Sequence, residues 1–244
     1  MVNLEGKVAL VTGSSRSIGK AIAIALAKEG AKLVLAARTV EGLERTAAAV
    51  RAAGSEAEAV PTDMREELQI DNLFKRTMER FGRLDILVNN AGVFDGGPID
   101  QISTEAWDNV MATNLRAAFI CTRNAFRIMK AQGGGRIINI GSISASRVRE
   151  NNAPYSTAKF GLVGLTHTTA LEGREYNINC GILHPGNVKK DEQAPRGVGG
   201  LGKEAGMSQE EIAAAAVYMA CQPPHVNVLE LIQLPREQPY LGRG

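Results

Sequence analysis

The chain has 244 residues, 44% of them apolar and 22% charged, with a formal net charge of +2. Such a length suits one large domain with a substantial core. The near-neutral charge gives no electrostatic ground for a nucleic-acid or membrane-surface partner, and no apolar run nears the roughly 18 residues a membrane span needs.

The amino-terminal residues lack the apolar stretch and cleavage site of a signal peptide, so the expected localisation is cytoplasmic. Cys121, Cys180 and Cys221 are widely spaced in apolar neighbourhoods and read as reduced, buried thiols. No Cys/His cluster has metal-ligand spacing, so no metal is expected.

Short apolar runs alternate with longer helical patterns. Residues 7–12 read as a strand, 17–29 as a helix closed by Gly30, 32–37 as a second strand and 41–53 as a helix closed by Gly54. A short third strand at 58–61 precedes an amphipathic helix at 66–81, with Leu68, Leu73, Phe74, Met78 and Phe81 near helical spacing. A buried strand at 84–88 runs into Asn89-Asn90-Ala91-Gly92. Ser103 or Thr104 caps a long helix reaching about Lys130, with Glu105 in its first turn. A strand follows at 136–140, a helix at 152–175, a strand at 178–183, a helix at 208–221 and a last strand at 228–234.

Continuous apolar strands separated by helices predict an α/β fold: a single-domain, doubly wound Rossmann sheet of seven mostly parallel strands with helices on both faces. The segment at about 187–206, rich in Gly, Pro and charge, reads as a substrate lid. In such sheets ligands bind beyond the carboxyl ends of the strands, at the topological switch point.

The first strand–helix turn, Thr12 to Gly19, is the expected site for a pyrophosphate, because glycines there let the backbone approach it at the helix N-terminus. An NAD site commonly has an acid about 20 residues further on. Here the second strand ends in Ala36-Ala37-Arg38-Thr39, with no acid. Arg38 and Arg16 together favour a 2′-phosphate, hence NADP(H); the alternative is that both are surface arginines.

Tyr155 and Lys159 lie one helical turn apart on a common face. A phenol titrates near ~10, and a neighbouring ammonium favours its ionised form. Ser142 adds a hydroxyl able to hold a substrate oxygen. Taken alone, a Tyr-x-x-x-Lys pair usually marks a solvated helix face; the remaining motifs turn the balance toward proton transfer.

Together these residues resemble the short-chain dehydrogenase/reductase family, single-domain branch. The resemblance rests on Thr12-Gly13…Gly19, Asp63, Asn89-Asn90-Ala91-Gly92, Asn114, Ser142, Tyr155…Lys159 and Pro185-Gly186. It implies a cofactor site formed by Gly13, Ser15, Arg16, Ser17, Ile18, Gly19 and Arg38, with Asp63 and Met64 at the adenine and Asn90, Ala91 and Gly92 beside its ribose. It implies that Pro185, Gly186 and Val188 back the nicotinamide. Catalysis would fall to Asn114, which orders a relay water, Ser142, which positions the carbonyl, Tyr155, the proton donor, and Lys159, which binds the nicotinamide ribose and lowers the Tyr155 pKa. Family members commonly pair through the two long helices, so a homodimer or homotetramer is expected.

Three departures stand out. Ser17 occupies the place of the family's middle glycine, Lys189 that of a frequent Thr, and the chain lacks the usual glycine-rich end of the last strand. That end looks more like the subgroup of NADP-dependent 3-hydroxy acid and serine dehydrogenases. For the substrate, the sequence offers Phe94, Ser144, residues 147–152 and His184 as pocket wall. Arg147, Arg149, Lys189 and Lys190 make the neighbourhood basic, which reads chiefly as solvated loop charge; His184 reads as a packing or backbone-bonded residue. Activity on a small carbonyl/alcohol pair, either acyl thioesters or free 3-hydroxy acids, leads over a non-catalytic NADP(H)-binding regulator or scaffold.

Overall fold

Residues 8–12, Val-Ala-Leu-Val-Thr, are all buried, and a strand sends successive side chains to opposite faces. A run with no polar alternation therefore needs cover on both sides. In the computed structural model, which describes residues 3–189 and 205–240, it has that cover. Ala9 and Val11 join Leu33, Leu35, Val88 and Ile138 in one core, while Val8 and Leu10 join Val34, Ala36 and Leu87 in another on the far side of the sheet.

The strands are β1 (Val8–Thr12), β2 (Lys32–Ala37), β3 (Ala57–Pro61), β4 (Ile86–Asn89), β5 (Gly135–Ile140), β6 (Ile178–Pro185) and β7 (Glu230–Gln233). They form a seven-stranded sheet in the order β3-β2-β1-β4-β5-β6-β7. Every pairing between these strands is parallel, so the mostly parallel sheet expected from sequence is wholly parallel among the described residues. The order reverses between β1 and β4, which opens a crevice at their carboxyl ends.

One face is covered by α1 (Ser17–Lys28), α2 (Val40–Ala52) and α7 (Gln209–Ala220), through Ile22, Leu26, Leu43, Val50, Ile212 and Met219. The other carries α3 (Glu67–Phe81) and α5 (Ala117–Gln132), through Ile70, Leu73, Phe74, Ile120 and Met129. Burial of each such side chain contributes roughly 1.5–3 kcal/mol. Leu68 departs from its expected place and is 83% exposed. Residues two apart on a helix point about 200° apart, so a stripe that buries Ile70 turns Leu68 to solvent.

The long helix expected from Ser103 to Lys130 is one run of backbone in three parts: α4 (Thr104–Met111), a π-helical turn (Ala112–Arg116) and α5. Ser103 caps it, its Oγ accepting from Ala106 N at 3.1 Å. Ser208 and Glu211 form a reciprocal capping box on α7. The helix that carries Tyr155 and Lys159, α6 (Ala153–Gly173), has Pro154 in its first turn and runs into a 3₁₀ turn. The last strand is shorter than the sequence pattern suggests. Most of the segment expected to act as a lid, 190–204, lies outside the described residues.

Among the described residues no helix is long and apolar enough to cross a membrane, and no cluster of three or more His, Cys, Asp or Glu is arranged to hold a metal. The three cysteines are unpaired and buried, as their surroundings suggested.

Candidate active site

The crevice at the switch point is a cleft of about 630 Å³. It gathers Gly13, Ser15, Arg16, Ser17, Ile18, Gly19, Arg38, Asp63, Met64, Asn90, Ala91 and Gly92, every residue assigned from sequence to the adenine and pyrophosphate half of a dinucleotide. It also includes residues the sequence reading passed over, among them Thr39, Gly42, Arg45, Thr62 and Arg65.

The turn after β1 is held from behind. Ser14 N donates to Ala36 O at 3.2 Å, and Thr46 Oγ1 donates to Ser14 O at 2.9 Å. Thr12 Oγ1 accepts from both Asn90 N and Ala91 N at 3.0 Å, and Asn90 Nδ2 donates back to Thr12 O at 2.9 Å. Asn90 thus stitches the β1 and β4 turns together, a role legible only once the two strands are seen as neighbours. At Gly13, with φ +65°, a Cβ would sit 2.8 Å from Ala91 Cα, so only glycine fits. Ser17 has φ +48°, a left-handed conformation costly to a residue with a Cβ. That is the physical sense of the glycine expected there.

Asp63 and Arg65 form a closed pair. Arg65 Nη2 reaches Asp63 Oδ2 at 2.6 Å, and Arg65 N donates to Oδ1 at 3.0 Å. The hydrogen bond from Arg65 is the main force that holds the Asp63 carboxyl below the usual carboxylate range, and Arg38 adds to it. The acid expected to meet an adenine is therefore already engaged, so it reaches a base only with Arg65 rearranged or shared. Arg116 donates to the Arg65 carbonyl and fixes the same loop to the π-helical turn. With Arg16, Arg38 and Arg45 also on the cleft, its wall is basic.

Beyond the ends of β5 and β6 stands a second group. Lys159 is 5% exposed and donates from Nζ to Ile140 O at 2.7 Å; its Nζ lies 5.4 Å from the Tyr155 ring centroid. Burial pulls the ammonium down to about 8. Tyr155 differs from expectation. Burial raises its phenol above the ordinary value, and the only opposing influence is a hydrogen bond with the Ser142 side chain. Phe94 packs on Tyr155 with ring centroids 5.6 Å apart.

Asn114 is buried in the π-helical turn. Its Oδ1 accepts from Val93 N and its Nδ2 donates to Val93 O, both at 2.8 Å. The side chain is a clamp on the loop that leaves β4. His184, 4% exposed, has Nδ1 2.9 Å from Ser142 O, the backbone-bonded role read from sequence. Burial lowers its pKa, so the imidazole favours the neutral form.

Pro185 closes β6, and Gly186 N donates to Gln233 O at 2.8 Å. Val188 bridges to Met207, and Lys189 N donates to Met207 O at 2.8 Å, so residues 188 and 189 are tied to Met207. Asn187 N donates to Gln238 Oε1 at 2.7 Å. Nothing in the sequence pointed to Gln238, which lies about 50 residues from its partner.

A glycine turn on a helix N-terminus at the switch point of a parallel sheet, beside a Ser–Tyr–Lys group, defines a dinucleotide-binding oxidoreductase fold. The family model described as short chain dehydrogenase matches residues 7–197. The chain is 38% identical over 192 residues to a 3-oxoacyl-[acyl-carrier-protein] reductase from Synechocystis sp., spanning 78% of each protein. It is 36% identical over 190 residues to a 2,3-dihydro-2,3-dihydroxybenzoate dehydrogenase from Bacillus subtilis, spanning 78% of this chain and 73% of the relative. A metagenomic short-chain oxidoreductase solved in complex with NADP superposes with a TM-score of 0.85 at 32% identity, covering 97% of this chain and 100% of that one. The chain belongs to the short-chain dehydrogenase/reductase family and is an oxidoreductase of CH–OH/C=O groups that uses a nicotinamide cofactor.

Proposed function

We propose that the protein is an NADP(H)-dependent oxidoreductase that transfers a hydride between the nicotinamide and a small carbonyl or secondary alcohol. The observation that carries this reading is the pairing of a basic cleft, lined by Arg16, Arg38 and Arg45, with the Ser142–Tyr155–Lys159 group. Guanidinium groups bind a phosphate dianion through charge-assisted hydrogen bonds, and no acid ends β2 to pair a ribose hydroxyl instead. The NADP-bound relative agrees with that choice.

The cofactor supplies or accepts the hydride. Ser142 holds the substrate oxygen against Tyr155, and Tyr155 gives that oxygen its proton in reduction or takes it in oxidation. Lys159, whose ammonium is already eased to about 8, binds the nicotinamide ribose and favours the ionised phenol when it turns from Ile140 O. Asn114 spends its side chain on Val93, so we assign its part in proton relay to a water on its main chain. Pro185, Gly186 and Val188 back the nicotinamide, and Asp63, Met64 and Asn90 to Gly92 hold the adenosine. The domain acts as a cytoplasmic homo-oligomer, paired through α5 and α6, which expose Phe119 and Phe160.

The test is Tyr155→Phe. It lowers turnover with NADPH by roughly 100-fold or more and leaves NADPH fluorescence titrations close to wild type. Unchanged turnover overturns the mechanism. Wild-type protein that binds NADPH but reduces neither acyl thioesters nor free 3-oxo acids favours the regulatory reading.

A further inference from the structure

We infer that the carboxyl-terminal segment at 235–240 is part of the active site, with Gln238 the positioning residue for the turn that faces the nicotinamide. The inference rests on the functional reading above, in which the 185–188 turn backs that ring.

Gln238 is 8% exposed, and amide side chains are rarely buried without a partner. Its Oε1 accepts from Asn187 N at 2.7 Å, one residue beyond Gly186. A Cβ at Gly186 would run into that same Oε1 and come within 2.8 Å of Leu234 Cδ2, so the turn is packed directly on the tail. Gln238 N in turn donates to Pro235 O at 3.0 Å, which curls the segment into place. Two residues on, the Tyr240 hydroxyl lies 2.8 Å from Ser146 Oγ, and Arg147 stacks over the Tyr240 ring at 5.7 Å. Ser146 ends the short 3₁₀ turn that begins at Ser142.

One six-residue stretch thus grips both the loop after β6 and the loop after β5, the two loops that carry Gly186 and Ser142. The family model stops at residue 197 and assigns nothing to it. The turn is thus held from the tail as well as through Met207 at the far side of its own loop.

The experiment compares wild type, Gln238→Ala, Gln238→Glu and Tyr240→Phe, using NADPH and 2′,5′-ADP as probes; the second lacks the nicotinamide. Gln238→Ala weakens NADPH and raises its KM by roughly tenfold while 2′,5′-ADP affinity holds. Gln238→Glu keeps an acceptor for the Asn187 N–H and recovers most of the loss. Tyr240→Phe, at a half-buried site that tolerates the change, raises the KM of the carbonyl substrate several-fold. Equal weakening of both probes by Gln238→Ala, or no weakening of either, overturns the inference. If Gln238→Ala fails to fold, Tyr240→Phe decides alone: kinetics identical to wild type overturn the proposal. Wild type that binds 2′,5′-ADP and turns over with NADPH upholds the functional reading whatever the variants do. A wild type that binds neither probe overturns that reading, and this inference with it.

Discussion

At φ +48° Ser17 occupies the left-handed region, where a Cβ crowds the carbonyl and costs about 1–2 kcal/mol. Glycine removes that strain but loses more backbone freedom on folding, about 0.5–1 kcal/mol. The balance favours Ser17→Gly by about 0.5–1 kcal/mol, or a Tm rise of about 2 °C for a chain of this size. A thermal melt decides it; a lower Tm would mean that the hydroxyl's own bonding outweighs the strain. Lys159 makes a different residue-scale prediction. Its folded pKa of about 8 lies below the ordinary 10.5, so between those values the unfolded chain holds a proton that the folded one has released. Stability from this group therefore rises with pH across that window, and the penalty is full below it. Cys121, Cys180, Cys221 and Tyr155 all have raised values and act in the opposite sense. The quantity to read is the difference between wild type and Lys159→Met in urea unfolding. It should shift in favour of wild type by about 2–3 kcal/mol from pH 7.5 to 10; a flat difference would mean that Lys159 keeps its proton in the fold.

The helical run from α4 through α5 shows how an element serves the site. A π-helical turn inserts one residue into the i→i+4 pattern, and here it coincides with the Asn114 clamp on Val93. Asn114→Ala removes both bonds and leaves the Val93 amide and carbonyl to find other partners. The expected cost is about 2 kcal/mol, with a fall in kcat larger than the rise in the KM of NADPH, because Val93 directly precedes Phe94, which packs on Tyr155. Urea unfolding and steady-state kinetics check the two parts; a loss confined to stability would make the clamp purely structural. The sequence announced this helix, its Ser103 cap and Asn114, yet not the π turn, since hydrophobic periodicity averages over one inserted residue. It also revealed the alternation of strands and helices, the glycine turn and the Ser142, Tyr155 and Lys159 set, because each is local or lies at a fixed spacing. What stayed hidden depends on contacts between distant segments: the Thr12–Asn90 stitch and Gln238 on Asn187. Spacing places Lys159 near the phenol but cannot say that its ammonium turns to Ile140 O.

Across the whole molecule a net charge of +2 is nearly neutral, so the attraction for an anionic cofactor has to come from how charge is distributed. The fold supplies this by bringing three separate segments to one cleft: Arg16 from the turn after β1, Arg38 from the end of β2 and Arg45 from α2. All three are exposed, and their effect on a bound phosphate is open to screening. The screening length falls from about 10 Å at 0.1 M salt to about 3 Å at 1 M. NADPH affinity should therefore drop by roughly tenfold over that range while NADH, lacking the 2′-phosphate, weakens much less. Arg45→Ala tests the member found only in the structure. It should cost NADPH roughly 5–10-fold in affinity, leave NADH unaffected and flatten the salt dependence. On the proposed reading both groups serve one phosphate, so combined with Arg38→Ala the two losses should fall short of additive. Parallel losses for NADPH and NADH would move Arg45 from the 2′-phosphate to the pyrophosphate that both cofactors share, and selectivity would then rest on Arg16 and Arg38 alone.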